Sequence, residues 1–295
     1  MRAAILGITG TVALWAAAFS SPASALPHDN DPVAPFKIGD GLYYVGASDI
    51  ASYLFVSKAG MILVDGGYDT TAPQILANIR KLGFDPRQVR ILLSTHAHFD
   101  HAGGLAELKR ETGARLYASP LDGALMARGG KGDFAFGDTS PFPPVTPDGD
   151  LRDGQWVTLG DWTLSAHFTP GHTRGCTTWT FPVRVAGRIR QGLILCSNSI
   201  LPMYRLAGNE SYPGIAADYE RSYASWRALP CEVFLGSHGK FFGLTAKRAA
   251  LEAGKADAFV DPSGCKDYFD KGYAAFRAEL ARQQASVKGS AGAGS

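Results

Sequence analysis

Short apolar runs separated by glycine and polar turns dominate the chain after residue 40. Residues 41–45, 52–57 and 61–64 each read as a strand bounded by turn residues. The period then lengthens. Ile75, Ile79 and Leu82 recur at helical spacing, which predicts a helix over 69–82. A buried-strand run follows at 89–94, then a helix over 102–112 with Leu105 and Leu108 on one side, a short strand at 115–118 and a short helix at 121–128. Residues 129–147 break the pattern. They are rich in Gly and Pro, and a loop of that length inside a compact domain is usually functional or mobile. Strands resume at 156–159, 162–168, 176–183 and 188–196. A helix over 216–229, a strand at 232–235, a helix over 245–254 and a last helix over about 266–284 complete the chain. The order predicts an α/β fold of two similar halves, each a sheet covered by helices.

The two ends read differently. Arg2, the apolar run 3–19 and Ala23-Ser24-Ala25 have the layout of a secretory signal with its cleavage site, so residues 1–25 are expected to be removed. The apolar run is short for a membrane span and ends in Ser20-Ser21-Pro22. Residues 26–288 are then expected to form one domain, periplasmic and detached from the membrane, and the small residues of 289–295 a flexible tail.

Composition narrows the function. The 295 residues are 45% apolar and 19% charged, enough apolar content for a sizeable core. A net charge of +2 without a basic stripe disfavours nucleic acid as a partner and leaves a small molecule. Four cysteines are too few for a disulfide scaffold.

The strongest chemical signal is Ser94-Thr95-His96-Ala97-His98-Phe99-Asp100-His101, where a buried strand passes into a helix. His96 and His98 are two apart, so an extended backbone sends both to one side. Asp100 and His101 follow as the chain turns, within reach of a second position. This donor set suits one or two zinc ions. His172, after the Pro170-Gly171 turn, and His238, in Gly236-Ser237-His238-Gly239, also follow strands. Ligand sites gather at that end of open sheets. His28, in the Pro- and Asp-rich lead, and His167, inside a strand, are expected to be structural.

The run at 96–101 with His172, His238 and Val64-Asp65-Gly66-Gly67 resembles the metallo-β-lactamase superfamily over about residues 40 to 285. The resemblance implies a four-layer αβ/βα sandwich, two mixed sheets flanked by helices. It implies a first zinc on His96, His98 and His172, and a second on Asp100, His101 and His238. Relatives that cleave thioesters or lactones carry a bridging carboxylate between the last two histidine sites. Here residues 192–203 contain no Asp or Glu. With His101 present, Cys196 is not required as a ligand, and the pattern resembles subclass B3. That likeness implies two Zn²⁺ per chain, a monomer, and hydrolysis of the β-lactam amide by metal-bound hydroxide. Asp100 would be the catalytic ligand that orients the hydroxide, and Ser199 would face the substrate carboxylate. A second polar residue often found shortly after that serine is here Leu201. Another hydrolase of the same fold, acting on a lactone or thioester, is the alternative.

The same likeness implies a disulfide between Cys231 and Cys265. Cys176 and Cys196 are expected to be reduced and buried, because neighbouring strands seldom hold good disulfide geometry. Asp65 is a candidate to fix a metal ligand or to cap the turn at Gly66-Gly67. Phe134 and Phe136 are expected to fold over the site and meet an apolar substrate side chain.

Overall fold

A computed structural model describes residues 28–292, with side chains through residue 287. The signal segment expected at 1–25 lies outside the described residues. Among them, no helix is long and apolar enough to cross a membrane.

The first sheet runs in chain order: β1 (Phe36–Gly39), β2 (Leu42–Tyr44), β3 (Tyr53–Ser57), β4 (Gly60–Val64), β5 (Val89–Leu93), β6 (Arg115–Ala118) and β7 (Gly149–Asp150). The first four strands pair antiparallel; from β4 onward the pairing is parallel. The second sheet has the order β12-β11-β10-β9-β8, from β8 (Trp156–Leu159), β9 (Trp162–Phe168), β10 (Thr177–Val185), β11 (Arg188–Leu195) and β12 (Val233–Gly236). Only β11 and β12 are parallel there. Among the described residues, eight α-helices accompany the sheets: α1 (Ala72–Lys81), α2 (Phe99–Ala102), α3 (Leu105–Thr112), α4 (Pro120–Ala127), α5 (Ile215–Ala228), α6 (Gly239–Phe242), α7 (Leu244–Glu252) and α8 (Pro262–Gly292).

Strand periodicity explains the layers. In β4, Ile62 and Val64 face the space between the sheets, whereas Met61 and Leu63 face the helices on the outer side. Buried on both faces, such a central strand is apolar throughout. Ile75, Leu76 and Ile79 of α1 and Leu105 and Leu108 of α3 complete the outer core. Between the sheets, Phe55 meets Trp162 and Phe181 edge-on at 4.9 and 4.8 Å. Tyr219, Tyr223 and Trp226 of α5 and Phe269 and Phe276 of α8 cover the second sheet. This is the expected αβ/βα sandwich.

Four local expectations change. Phe36–Gly39 adds a first strand through a turn at Asp40-Gly41, where Gly41 has φ +72°. The helix expected over 102–112 begins earlier as α2 and breaks at Gly103-Gly104. A Cβ at Gly104 would lie 2.3 Å from the Gly66 carbonyl oxygen, so the two glycine pairs let the backbones touch. The last helix reaches Gly292, into the stretch expected to be a tail, because its Ala and Ser residues continue a helix at modest cost.

The fourth change is chemical. Cys176 and Cys196 form a disulfide rather than standing as free thiols. The β10–β11 ladder ends at Trp179 opposite Ile194, so both cysteines lie beyond it, with Cα atoms 5.8 Å apart. The geometric objection to a bridge within a ladder therefore does not apply. Cys231 and Cys265 are also bonded and tie the start of β12 to α8. Loop-closure entropy for the 34-residue separation makes Cys231→Ser expected to cost about 3–4 kcal/mol. Thermal unfolding of the variant beside the oxidised chain checks this; an unchanged Tm would contradict it.

Candidate metal centre

All three histidine segments leave the same end of the two sheets, and long-range hydrogen bonds hold them there. β5 runs into Ser94–His98. The Ser94 carbonyl accepts from the Trp179 indole at 3.2 Å, and the Thr95 carbonyl from the Thr177 amide at 2.8 Å. His172 follows β9 on a turn whose Gly171 sits at φ +140° against the Tyr219 ring, 2.9 Å from where a Cβ would be. His238 follows β12, and the Ser237 carbonyl accepts from the Ala51 amide of the first half at 2.9 Å.

The predicted ligand residues come together. His96, His98 and His172 are buried, each with a donor atom within 4.8 Å of the others. Beside them, His101 Nε2 lies 3.2 Å from His238 Nε2 and 3.2 Å from Asp100 Oδ2, and His238 Nε2 lies 3.5 Å from the same carboxylate oxygen. Donors about 2.0–2.1 Å from a tetrahedral zinc stand about 3.3 Å apart, which is the spacing of this triangle. The His96 Nε2 atom is buried with no protein hydrogen-bond partner. Buried polar atoms without partners are costly. Two imidazole nitrogens and a carboxylate meeting at one point call for a cation. These residues fit a metal.

Electrostatics agree. Burial holds His96 and His172 well below the usual imidazole range and His98 at about 4, so all three are neutral, the form that ligates. Burial opposes ionisation of Asp100, but the neighbouring His101 and His238 outweigh it and hold the carboxyl well below its usual range. Burial also opposes charge on His101, yet Asp100 and Asp65 raise it to about 10.

Orienting groups lie behind the rings. The Asp65 carboxylate accepts from the Thr95 amide at 2.6 Å and the Thr95 hydroxyl at 2.7 Å. That hydroxyl's single proton is thereby used, so Thr95 Oγ1 accepts from His96 Nδ1 at 3.1 Å. Asp65 also faces His101 Nδ1 at 3.6 Å and adopts φ +65°. Its place is behind the ligands as well as at the turn. His172 Nδ1 donates to the Ser199 carbonyl at 2.9 Å, which puts Ser199 beside the cluster through its backbone. His167 lies in β9, with Nε2 2.8 Å from the Thr180 hydroxyl. His28 is at the surface, 2.9 Å from Asp31.

Three carboxylates were missed in the sequence. Asp49 accepts from His238 Nδ1 at 2.9 Å and from the Lys240 amide at 2.7 Å. Asp122 is buried in α4 and accepts from the Ala97 and Gly175 amides and the Thr173 hydroxyl, joining the first and second histidine loops. Asp133 lies in the 129–147 loop near His98. That loop does cover the site, but its phenylalanines divide. Phe136 packs edge-on against His98 at 5.0 Å, whereas Phe134 turns into Tyr204 and Tyr212 at 5.1 and 4.9 Å.

Asp49→Ala is expected to weaken metal at the His238 position about 10–100-fold, because an orienting acceptor is lost. Titration with a competing chelator checks this, and an unchanged metal affinity would contradict the assignment.

Comparison with known proteins agrees with the geometry. The family model for the metallo-beta-lactamase superfamily matches residues 45–185. The native FEZ-1 metallo-beta-lactamase from Legionella gormanii superposes with a TM-score of 0.85 and 42% identity, covering 86% of this chain and 98% of that one. BJP-1, a subclass B3 metallo-beta-lactamase of Bradyrhizobium japonicum, gives a TM-score of 0.82 and 37% identity over 88% of this chain and 98% of that one. A hydroxyacylglutathione hydrolase from Methylobacterium sp. (strain 4-46) is 29% identical over 61% of this chain, and the match spans 60% of that protein's length. A near-complete match to solved relatives, with the family's histidine segments gathered at one end of the sandwich, leads to one conclusion: the chain belongs to the metallo-beta-lactamase superfamily.

Proposed function

We propose that the chain is an exported, zinc-dependent β-lactamase of the subclass B3 kind, monomeric, with two zinc ions in one centre. The first set is His96, His98 and His172; the second is Asp100, His101 and His238. Zinc bound there supplies a Lewis acid for the β-lactam carbonyl and brings a water toward ionisation at neutral pH. Asp100 turns a carboxylate oxygen toward the attacking water. Asp49, Asp65 and Thr95 hold the imidazoles in their ligating tautomers. Phe136 shields the His98 side of the centre from solvent, and the Ser199 hydroxyl hydrogen-bonds the substrate carboxylate. Ligands come from both halves, so residues 26–288 act as one domain. Two disulfides suit an oxidising compartment such as the periplasm.

The observation that carries this reading is the end of β11. Leu195 leads into Cys196-Ser197-Asn198-Ser199, with no carboxylate to bridge two metals, and Cys196 is held in a disulfide. Asp100, His101 and His238 then form the second set by themselves. The match to a hydroxyacylglutathione hydrolase favours a second reading, cleavage of a thioester. Purified mature chain, assayed for metal content and for turnover of a penicillin, a carbapenem, a lactone and a hydroxyacylglutathione, separates the two. Chelator-sensitive β-lactam turnover is expected. Thioester or lactone turnover without β-lactam turnover would overturn the proposal.

A further inference from the structure

Four of the five clustered histidines turn Nδ1 toward an oxygen behind the centre, three at hydrogen-bond distance and His101 at 3.6 Å from Asp65. Nδ1 of His96, His172, His101 and His238 faces Thr95 Oγ1, the Ser199 carbonyl, Asp65 and Asp49 respectively, which leaves Nε2 for the centre. His98 is the exception. Its Nε2 is buried with no hydrogen-bond partner and faces Asp133 Oδ2 at 3.8 Å. Asp133 does not belong to the scaffold that carries the other acceptors. It sits in the covering loop, with its side chain only 4% exposed. Its other oxygen, Oδ1, accepts from the Ala135 and Phe136 amides, both at 2.8 Å. Those bonds shape the turn that lays Phe136 on the His98 ring.

From this we infer that Asp133 is a positioning residue for His98. Oδ2 takes the Nε2–H of His98 and so selects Nδ1 as the metal-binding atom, while Oδ1 holds the loop closed. One carboxylate thereby couples closure of the loop to the orientation of a first-site ligand. The present 3.8 Å gap is longer than a hydrogen bond. The inference therefore requires that Oδ2 and Nε2 close to hydrogen-bond distance when His98 holds a metal. The inference rests on the metal reading of the centre and is independent of which substrate is cleaved.

Two measurements on the full mature chain test it, and neither needs a substrate. In ¹⁵N-histidine NMR of the zinc-loaded wild type, His98 is expected to carry its proton on Nε2. A proton on Nδ1 overturns the inference without any variant. Asp133→Asn keeps an oxygen for the Ala135 and Phe136 amides but offers His98 no carboxylate. It is expected to weaken zinc held by the set His96, His98 and His172 at least about tenfold in chelator competition and to alter the visible spectrum of the cobalt-substituted chain. Asp138→Asn, in the same loop with its oxygen on the Gly132 amide, is expected to stay within about twofold of wild type, since it touches no ligand. Equal zinc affinity for Asp133→Asn and wild type overturns the coupling, as does an equal loss in both variants. A wild type that binds zinc but cleaves only thioesters sinks the β-lactamase proposal and leaves this inference standing.

Discussion

Asp100→Asn is expected to lower kcat about a hundred- to ten-thousand-fold, the range for losing a positioned proton acceptor in the transition state. The substitution is nearly isosteric, so the fold should survive. What changes is charge. Asp100 Oδ2 stands 3.2 Å from His101 Nε2 and 3.5 Å from His238 Nε2, and burial leaves its ionised form dependent on those neighbours. An amide there ligates poorly and cannot orient the attacking water. In the proposed arrangement His96, His98 and His172 form the other set, so one equivalent of metal should remain. Steady-state kinetics with metal analysis checks the pair of outcomes. A variant with near wild-type kcat would remove Asp100 from the mechanism, and loss of all metal would show that the two sets are not separable.

Asp122→Ala is expected to produce the largest loss of stability. The carboxylate is 2% exposed and accepts three hydrogen bonds at 2.7–2.9 Å from Thr173, Gly175 and Ala97. Removing it strands two amides and a hydroxyl in the interior, at about 1–3 kcal/mol each and not additively. A total of about 3–5 kcal/mol lowers Tm by roughly 10–15 °C in a chain of this size. The pH dependence is diagnostic. Burial raises the Asp122 pKa from the usual 3.8 to about 6, against the pull of its three donors. Between those values the folded state keeps a proton that the unfolded state has released, so this group's contribution to stability falls as pH rises from about 4 to about 6. Asp122→Asn, which cannot titrate, should lose that slope. Calorimetry across this window reads both effects, and an Asn variant with the wild-type slope would assign it to another group.

The legible part of the molecule was local. Met61–Val64 and Ile91–Leu93 read as buried strands because a strand covered on both faces is apolar at successive positions, and the exposed Arg90 falls near the start of β5. The His96–His101 run read as a metal site because its donors lie within one turn of backbone and need no partner to be recognised. β1 was missed because Phe36–Gly39 follows directly on a Pro-rich lead, and its pairing depends on β2 across a tight turn. The disulfide between Cys176 and Cys196 was missed because strand content alone does not say where a ladder stops.

The three carboxylates behind the site mark the boundary more sharply. Asp49 reaches His238 across 189 positions, and Asp122 reaches Gly175 across 53. In the sequence each is an acidic residue beside turns or at a helix start, indistinguishable from one that faces water. Whether it instead holds a ligand depends on burial, and burial is a property of both halves packed together. The sequence by itself determined the layers and pointed to the six proposed donors, because side-chain period and the spacing of the 96–101 run are written in neighbouring residues. Only the tertiary structure decided which acids brace those donors, which cysteines meet and which phenylalanine covers the centre. Each of those depends on desolvation and distance between segments that chain order leaves far apart.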